Sequence, residues 1–203
     1  AESGDCTAQA LVVAIPAPQA VSLLETLPPT ILGTEFWAQL QSIQFAPCIT
    51  AIAGYPSENQ PPLTWQALEC PDDPHLCWMG VDSSKRSSAS TRVLVLQSTA
   101  RFAERFLQTA DLQAAAQELI NGAAVQIAPW IAMPSWLQGH RWRYAFVKTP
   151  VQQPYLAAAT PLPLLGCGDW CGGDRVEDAF LSGLATAQVV DRQLRNLARP
   201  DTG

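Results

Sequence analysis

The segment 165–180 contains the residue types best suited to holding a ligand with backbone atoms. Four glycines lie within it, and it joins an apolar run, 162–167, to a stretch with helical periodicity, 175–198. Glycine lets the backbone adopt positive φ and approach a ligand closely. Because the first N–H groups of a helix have no partner inside the helix, this junction predicts backbone amides that point at a ligand atom.

Carboxylates at this junction restrict the ligand that it could hold. Asp174, followed three residues later by Glu177, matches the capping-box pattern, and Asp178 comes next. A helix N-terminus attracts phosphate, but these carboxylates would oppose a doubly charged group. A weak or transient anion fits better, and the N1–C2 carbonyl edge of a reduced flavin is one. A glycine-rich turn without any ligand is an equally good interpretation.

The glycines of this segment do not form a dinucleotide-binding fingerprint. Gly172 follows Gly168 by four residues, whereas the Gly-x-Gly-x-x-Gly pattern needs a spacing of three. The predicted site therefore does not bind a pyrophosphate in the manner of that fingerprint.

Period-two alternation in 137–147 predicts a strand with one aromatic side. The aromatic positions are His140, Trp142, Tyr144 and Phe146, and they alternate with Arg141, Arg143 and Ala145. His140 suits an orienting or proton-accepting role, since histidine titrates near neutral pH. A strand histidine packed among aromatic rings is the simpler interpretation. The arginines could grip a phosphate in bidentate fashion, but solvent-facing strand arginines are more common.

Composition excludes several classes of protein. Of 203 residues, 48% are hydrophobic and 15% are charged, which is too apolar and too weakly charged for a disordered chain. The net charge of -6 would repel a phosphate backbone, so nucleic acid is not expected as a partner. Seventeen prolines and twelve glycines interrupt the apolar runs before they reach the roughly 18 residues of a membrane-spanning helix. No membrane partner is expected either.

Six cysteines raise the questions of disulfides and of metal. The first five residues have no basic region and no cleavable apolar core, so we expect no signal peptide, a cytoplasmic location and reduced, mostly buried thiols. Cys70, His75 and Cys77 lack the paired spacing of a zinc site, and so do Cys167 and Cys171. We therefore expect no bound metal.

Hydrophobic periodicity along the chain predicts a mixed α+β fold. Strands are predicted at 10–15, 43–53, 63–68, 75–81, 92–97, 137–147 and 162–167. Helices are predicted at 18–27, in two pieces within 99–121, and at 175–198. Four consecutive strands between 43 and 97 without a long helix indicate an antiparallel sheet. Asp111 is expected to cap the second helix of 99–121, and Gly122 is expected to end it.

Four pieces of the sequence, in order, resemble the renalase-like branch of the FAD-dependent amine-oxidase-type oxidoreductases. The C-terminal piece, Gly-Asp-Trp-Cys at 168–171 with Arg-Val-Glu-Asp-Ala at 175–179, resembles the flavin-contact motif of that branch. The other three pieces are 13–20, 80–86 and 140–145. The resemblance covers nearly the whole chain, because these pieces are distributed from 13 to 179, and their agreement in order makes coincidence improbable.

The resemblance implies an α+β flavoenzyme of two domains. Residues 29–160 would form a substrate domain with helices on an antiparallel sheet, and residues 1–28 would be a strand–helix unit that links it to the FAD domain. Residues 161–203 would be the C-terminal strand, Gly-rich loop and helix of that Rossmann-like FAD domain. The N-terminal Gly-x-Gly-x-x-Gly turn of the family has no counterpart in this sequence. The chain therefore resembles the C-terminal part of such a protein, and we expect the missing N-terminal FAD-binding segment as its partner. Without that segment, the surface over 162–167 and Val176 should be apolar and open.

The resemblance also implies roles for individual residues. It implies that six residues lie near the ribityl and phosphate groups of FAD or at the helix start that meets the flavin pyrimidine edge. They are Gly168, Asp169, Gly173, Arg175, Val176 and Glu177. It also implies that the strand bordering the isoalloxazine carries the catalytic residues. They are His140, Trp142 and Tyr144.

The implied activity is hydride transfer from a small reduced substrate to FAD. The substrate would be a dihydronicotinamide nucleotide isomer or an amine, and oxygen would reoxidise the flavin to give hydrogen peroxide. The alternative is a chain without FAD that acts as a binding or interaction module, with a pocket lined by its aromatic residues.

Overall fold

The computed structural model describes residues 4–5, 7–56, 61–87, 91–158, 160 and 162–197. The chain forms two compact units, which we call the terminal unit (Ala1–Phe45 with Phe146–Gly203) and the central unit (Ala46–Ala145). These limits differ from the predicted substrate domain at 29–160. The reason is that apolar side chains of 32–43 and 147–156 join one buried cluster with those of 13–24.

Eight strands and six helices are defined in the described residues. The strands are β1 (Leu11–Val13), β2 (Gln44–Pro56), β3 (Ala67–Glu69), β4 (Leu76–Val81), β5 (Thr91–Ser98), β6 (Trp136–Thr149), β7 (Leu156–Ala157) and β8 (Leu164–Gly166). The helices are α1 (Ala17–Leu24), α2 (Pro29–Leu32), α3 (Thr34–Ser42), α4 (Ala100–Glu104), α5 (Gln113–Gln126) and α6 (Val176–Leu197). The mixed α+β class predicted from the sequence is confirmed.

A five-stranded sheet, in the order β3-β4-β5-β2-β6, organises the central unit. The pairs β3/β4, β4/β5 and β2/β5 are antiparallel, as the sequence predicted. Side chains on one face of this sheet pack with α4 and α5 into a buried core. Its largest fully buried members are Tyr55, Met79, Leu94, Leu96, Phe102, Leu119, Ile120 and Ile131. Alternation along the strands therefore leaves the side chains of the other face outside this core.

The second predicted helical region forms α4 and α5 but ends differently from the prediction. The N-cap residue of α5 is Leu112 rather than Asp111, and Asp111, one residue earlier, accepts the Gln113 N–H at Oδ1 at 2.9 Å and so satisfies the first amide of the helix. Gly122 does not end the helix, because α5 continues to Gln126 and buries Ala123 and Ala124 in the core. Burial of the last turn outweighs the cost of one interior glycine, about 1 kcal/mol.

Two helices that the sequence did not predict, α2 and α3, occupy residues 29–42 of the terminal unit. No side chain caps either helix, and Gly33 with a φ of 79° joins them. The buried residues Leu32, Phe36 and Leu40 follow one another at intervals of four. That spacing is the signal in the sequence that indicates a helical face, and the prolines and Gly33 conceal it.

A small sheet in the order β1-β8-β7 lies in the terminal unit. β8 runs parallel to β1 and antiparallel to β7, so both of its edges are paired and all three of its residues are buried. The prediction of an open apolar surface over 162–167 is therefore wrong for β8, whose three residues are buried. Only its flank, Leu162, is exposed, together with Val176 at the start of α6. None of the helices in the described ranges is long and apolar enough to cross a membrane.

Ser98 provides a test of how the central sheet is held together. Its fully buried Oγ accepts the Ile49 N–H at 2.9 Å and donates to the Thr99 carbonyl at 3.0 Å. We expect Ser98→Ala to leave a buried amide without a partner and to lower the free energy of unfolding by about 1 to 3 kcal/mol. Urea denaturation measures this loss. Ser84→Ala, which removes an exposed bond to Val81, is the control and should change stability by less than about 0.5 kcal/mol.

Candidate functional site

The predicted aromatic side of β6 is present and is held by contacts inside the central unit. Trp142 donates from Nε1 to Thr50 Oγ1 on β2 at 3.1 Å, and Thr50 is buried. The rings of His140 and Trp142 lie 4.3 Å apart, edge to face. Trp142 is 52% exposed and Tyr144 is 37% exposed. The side chains of this strand are therefore fixed in position yet accessible.

The other strands of the sheet extend this surface. Cross-strand partners point to the same face of a sheet, and one row of them runs across four strands: Glu69, Trp78, Gln97 and Thr50. Trp142 joins the row through its bond to Thr50. We call this surface the aromatic face, and define it by Thr50, Gly54, Glu69, Trp78, Gly80, Gln97, Trp136, His140, Trp142 and Tyr144.

Two glycines of the aromatic face lie directly under tryptophan rings. A Cβ built on Gly80 would be 2.2 Å from the Trp78 ring, and a Cβ on Gly54 would be 2.0 Å from Nε1 of Trp136. The rings therefore occupy the space that side chains would fill. Trp78 and Trp136 were not among the residues predicted for the site, although a glycine inside a strand is a signal of close approach by another group.

The aromatic face is suited to binding and orienting a small molecule. Its aromatic rings offer flat apolar contact, and its charged side chain is the exposed Glu69 carboxylate. Arg141 does not belong to this surface. It donates to the carbonyl oxygens of Phe106 and Thr109 at 3.1 and 2.6 Å, so it anchors the segment between α4 and α5. This use explains Arg141 without a phosphate ligand.

In the Gly-rich segment, a buried tryptophan explains the first two glycines. Trp170 is 1% exposed, and its Nε1 donates to the Ile15 carbonyl at 3.1 Å. A Cβ on Gly166 or on Gly168 would lie 2.9 or 2.6 Å from the Trp170 ring. The Gly168 N–H donates to Ser182 Oγ at 3.2 Å. The packing of Trp170 requires these glycines, and the assignment of Gly168 to a flavin stays a prediction.

Asp178 occupies much of the predicted helix start. Its Oδ2 accepts the N–H groups of Asp174 and Arg175 at 3.2 and 3.0 Å. A Cβ on Gly173 would lie 2.2 Å from the same carboxylate. The predicted capping box of Asp174 and Glu177 is therefore wrong, because the helix begins at Val176, one residue later than predicted, and its third residue is Asp178. The roles of Gly173 and Arg175 toward a flavin stay predictions.

Two backbone amides at this end remain available to a ligand. Within the described residues, the N–H groups of Val176 and Glu177 meet no hydrogen-bond acceptor, and Val176 is 88% exposed. Gly172 lies close in sequence with a φ of 82° and open space where its Cβ would be. It lines a cavity of about 330 Å³ together with Asp178 and Ser182.

Asp169 lies in the same loop, and burial raises the pKa of its carboxyl above the ordinary value. Backbone hydrogen bonds from its own N–H and from Trp170 oppose this rise, and the charge of Asp174 adds to it. A partly buried carboxyl group with a raised pKa is a common feature of binding sites. Its predicted role beside the ribityl chain stays a prediction.

The predicted site residues thus fall into two groups. His140, Trp142 and Tyr144 lie in the central unit, and the residues of 168–177 lie in the terminal unit. No group of three or more His, Cys, Asp or Glu among the described residues has the arrangement of a metal site. The first group offers exposed aromatic side chains and the second offers backbone amides, and both are suited to binding and orienting a ligand.

Two solved oxidase structures share this fold. A protein provisionally assigned as a protoporphyrinogen oxidase, from Exiguobacterium sp. 255-15, superposes with a TM-score of 0.61 at 13% identity, over 92% of this chain and 41% of its own. Cyclohexylamine oxidase from Brevibacterium oxydans IH-35A gives a TM-score of 0.60 at 15% identity, over 91% of this chain and 43% of its own. The chain thus spans about two fifths of the length of either structure.

Residues 1–191 match the family of flavin-containing amine oxidoreductases, and the chain belongs to this family. The cofactor of the family is FAD. This result confirms the amine-oxidase-type family and the flavin cofactor that the sequence resemblance implied. The narrower assignment to the renalase-like branch stays a prediction.

The raised pKa of Asp169 predicts how stability depends on pH. A carboxyl group whose pKa is higher in the folded state than in the unfolded state destabilises the fold once it ionises, so its contribution is lost as pH rises through the folded pKa. We expect Asp169→Asn to become more stable relative to the original chain as pH rises from about 4 to 7. Urea denaturation over this range measures the difference. Asp191→Asn, at an exposed position, should give a difference that does not follow this trend.

Proposed function

We propose that this chain supplies the substrate-binding sheet and a flavin-contacting helix start of an FAD-dependent oxidoreductase that moves hydride from a small reduced substrate to FAD. The observation that carries the proposal is the exposed start of α6, where the amides of Val176 and Glu177 have no acceptor among the described residues. FAD, when bound, supplies the hydride-accepting chemistry.

The residues of the loop fit a flavin at the helix start. Two adjacent amide donors and the partial positive charge of a helix N-terminus suit the carbonyl edge of a flavin, where negative charge develops. The amides of Asp174 and Arg175 are already bound by Asp178. Contacts from this chain would therefore come from Val176 and Glu177, with Asp169 nearby in the loop.

The aromatic face would bind and orient the substrate. Trp78, Trp136 and Trp142 provide flat apolar contact that excludes water, and the bond from Trp142 to Thr50 fixes one ring. His140 packs against that ring and would orient a polar group of the substrate. A dihydronicotinamide nucleotide isomer or an amine would fit this role, and oxygen would reoxidise the flavin.

The proposal needs a partner segment that provides the rest of the FAD site. Exposed apolar side chains on α6 support the docking of further polypeptide: Val176 (88%), Phe180 (69%), Leu181 (52%) and Leu184 (49%). We propose that this surface meets an N-terminal FAD-binding segment and that the chain without it self-associates. The proposed location is the cytoplasm, where thiols stay reduced.

A second candidate function is a binding module that holds no flavin. The observation in its favour is that Trp170, Ser182 and Asp178 use most of the Gly-rich loop internally. The aromatic face would then be the binding surface of the chain. The two candidates differ in whether the amides of Val176 and Glu177 have a ligand.

A single amide can be removed to separate the two candidates. Proline is favoured in the first turn of a helix and has no N–H, so Val176→Pro deletes one predicted flavin contact while it preserves α6. We expect the chain, mixed with FAD and the N-terminal FAD-binding segment of a family member, to retain visible flavin absorbance after desalting. We expect Val176→Pro to retain flavin at least about fivefold less tightly, as for the loss of one hydrogen bond to a charged group.

Val176→Ala is the matched control, because it changes the side chain and keeps the amide. Both variants lose the valine side chain that would take part in docking, so Val176→Ala should retain flavin more tightly than Val176→Pro because its amide is still present. Helical circular dichroism checks that α6 is intact in both variants. Equal flavin retention by Val176→Pro and Val176→Ala would contradict the assigned contact, and a colourless original mixture would favour the binding module.

A further inference from the structure

Two cysteines face each other across the β3–β4 hairpin. The register pairs Ala67 with Gly80 and Glu69 with Trp78. The same register continues one step further, where the Cys70 N–H donates to the Cys77 carbonyl at 2.9 Å. Hydrogen-bonded antiparallel pairs have a Cα separation of about 5.5 Å, which is within the 4.4 to 6.8 Å range of disulfides.

The thiol groups of this pair are reduced and partly accessible. Cys70 and Cys77 are half-buried free thiols, whereas Cys48, Cys167 and Cys171 are buried. Burial raises the pKa of Cys77 to about 11, and the neighbouring thiols Cys48 and Cys70 add to this rise.

Cys48 is the competing partner for Cys77, and the sheet topology argues against it. Both thiols donate to the Ser98 carbonyl, at 3.5 and 3.3 Å. However, β2 and β4 lie on opposite sides of β5. Two strand spacings amount to about 9.5 Å, which is too far between Cα atoms for a disulfide without backbone movement. Cys70 is therefore the partner that needs no rearrangement.

The loop between the two cysteines is held in a closed conformation. Asp73 Oδ1 accepts the N–H groups of His75 and Leu76, both at 2.7 Å, and the Asp73 N–H donates to the Cys70 carbonyl at 3.2 Å. Pro71 and Pro74 restrict the rest of the loop. The backbones of Cys70 and Cys77 are thus held side by side before any bond forms, which lowers the entropic cost of forming one.

We propose that Cys70 and Cys77 are an oxidative modification site that closes to an intramolecular disulfide when the chain meets a peroxide. The Cys70 thiolate attacks one oxygen of hydrogen peroxide, which gives a sulfenic acid and, with a proton, one water. The Cys77 thiol then attacks the Cys70 sulfur, forms the S–S bond and displaces the second water. Two thiols and one peroxide thus give one disulfide and two waters, so atoms and electrons balance.

The bond would act on the aromatic face. Glu69 immediately precedes Cys70, and Trp78 immediately follows Cys77. Glu69 and Trp78 are cross-strand partners, and both belong to the aromatic face. A disulfide beside them would fix the end of the hairpin that carries them. The modification does not depend on flavin binding, so its test is independent of the proposed oxidoreductase function.

The chain sequence makes the test direct. Asp72 and Asp73 lie between the two cysteines, so a protease that cleaves at aspartate separates them into two peptides. The reduced chain is treated with hydrogen peroxide, quenched with catalase, alkylated and digested. We expect mass spectrometry to find a disulfide-linked pair of peptides that contains Cys70 and Cys77. The thermal midpoint of the oxidised chain should rise by roughly 5 °C and return after reduction.

Two variants decide the partner. Cys70→Ser should abolish both the linked peptides and the thermal shift, whereas Cys48→Ser should leave both in place. A linked pair that contains Cys48, or thiols that go to sulfinic acid without any link, would overturn the proposal. Oxidation should also accelerate as pH rises above neutrality, because burial raises the pKa of both thiols.

Discussion

The position of Trp170 is the constraint on which the Gly-rich loop depends. Its ring lies against the backbone of Gly166 and Gly168, and its N–H is bound by the carbonyl of Ile15, at the end of the strand that pairs with β8. The loop can leave β8 and reach α6 by this path only if the two glycines stay small. The conformation of the loop, and with it the place where α6 begins, follows from how one large side chain is buried.

Electrostatics then decides which amides of the helix start are available. Asp178 reaches back to the amides of Asp174 and Arg175, and this bond satisfies donors that would otherwise attract an anion. The amides that remain available to a ligand are therefore those of the next two residues, Val176 and Glu177. A flavin edge, with its diffuse negative charge, is compatible with a nearby carboxylate, whereas a phosphate would be repelled by it. The family of the chain and the charge of its helix start are therefore consistent with each other.

The sequence predicted those features that depend on local pattern. Period-two alternation located β6 and its aromatic side, and Asp111 was recognised from its place before α5. Prediction from the sequence failed where tertiary packing overrides local sequence signals. α5 continues through Gly122 because its next turn is buried, and α2 and α3 form without side-chain caps because Leu32, Phe36 and Leu40 are buried. Trp78 and Trp136 could not be assigned to the site, because their neighbours come from strand pairing.

Gly54 and Gly80 show how an absent side chain can shape a surface. Each provides a flat place on which a tryptophan ring rests, so the contour of the aromatic face is set by positions that themselves contribute no contact atoms to a ligand. Any larger residue there would act as a wedge and lift the ring away from the sheet. A search for residues that contact a bound molecule would therefore miss Gly54 and Gly80, two positions that determine the shape of the aromatic face.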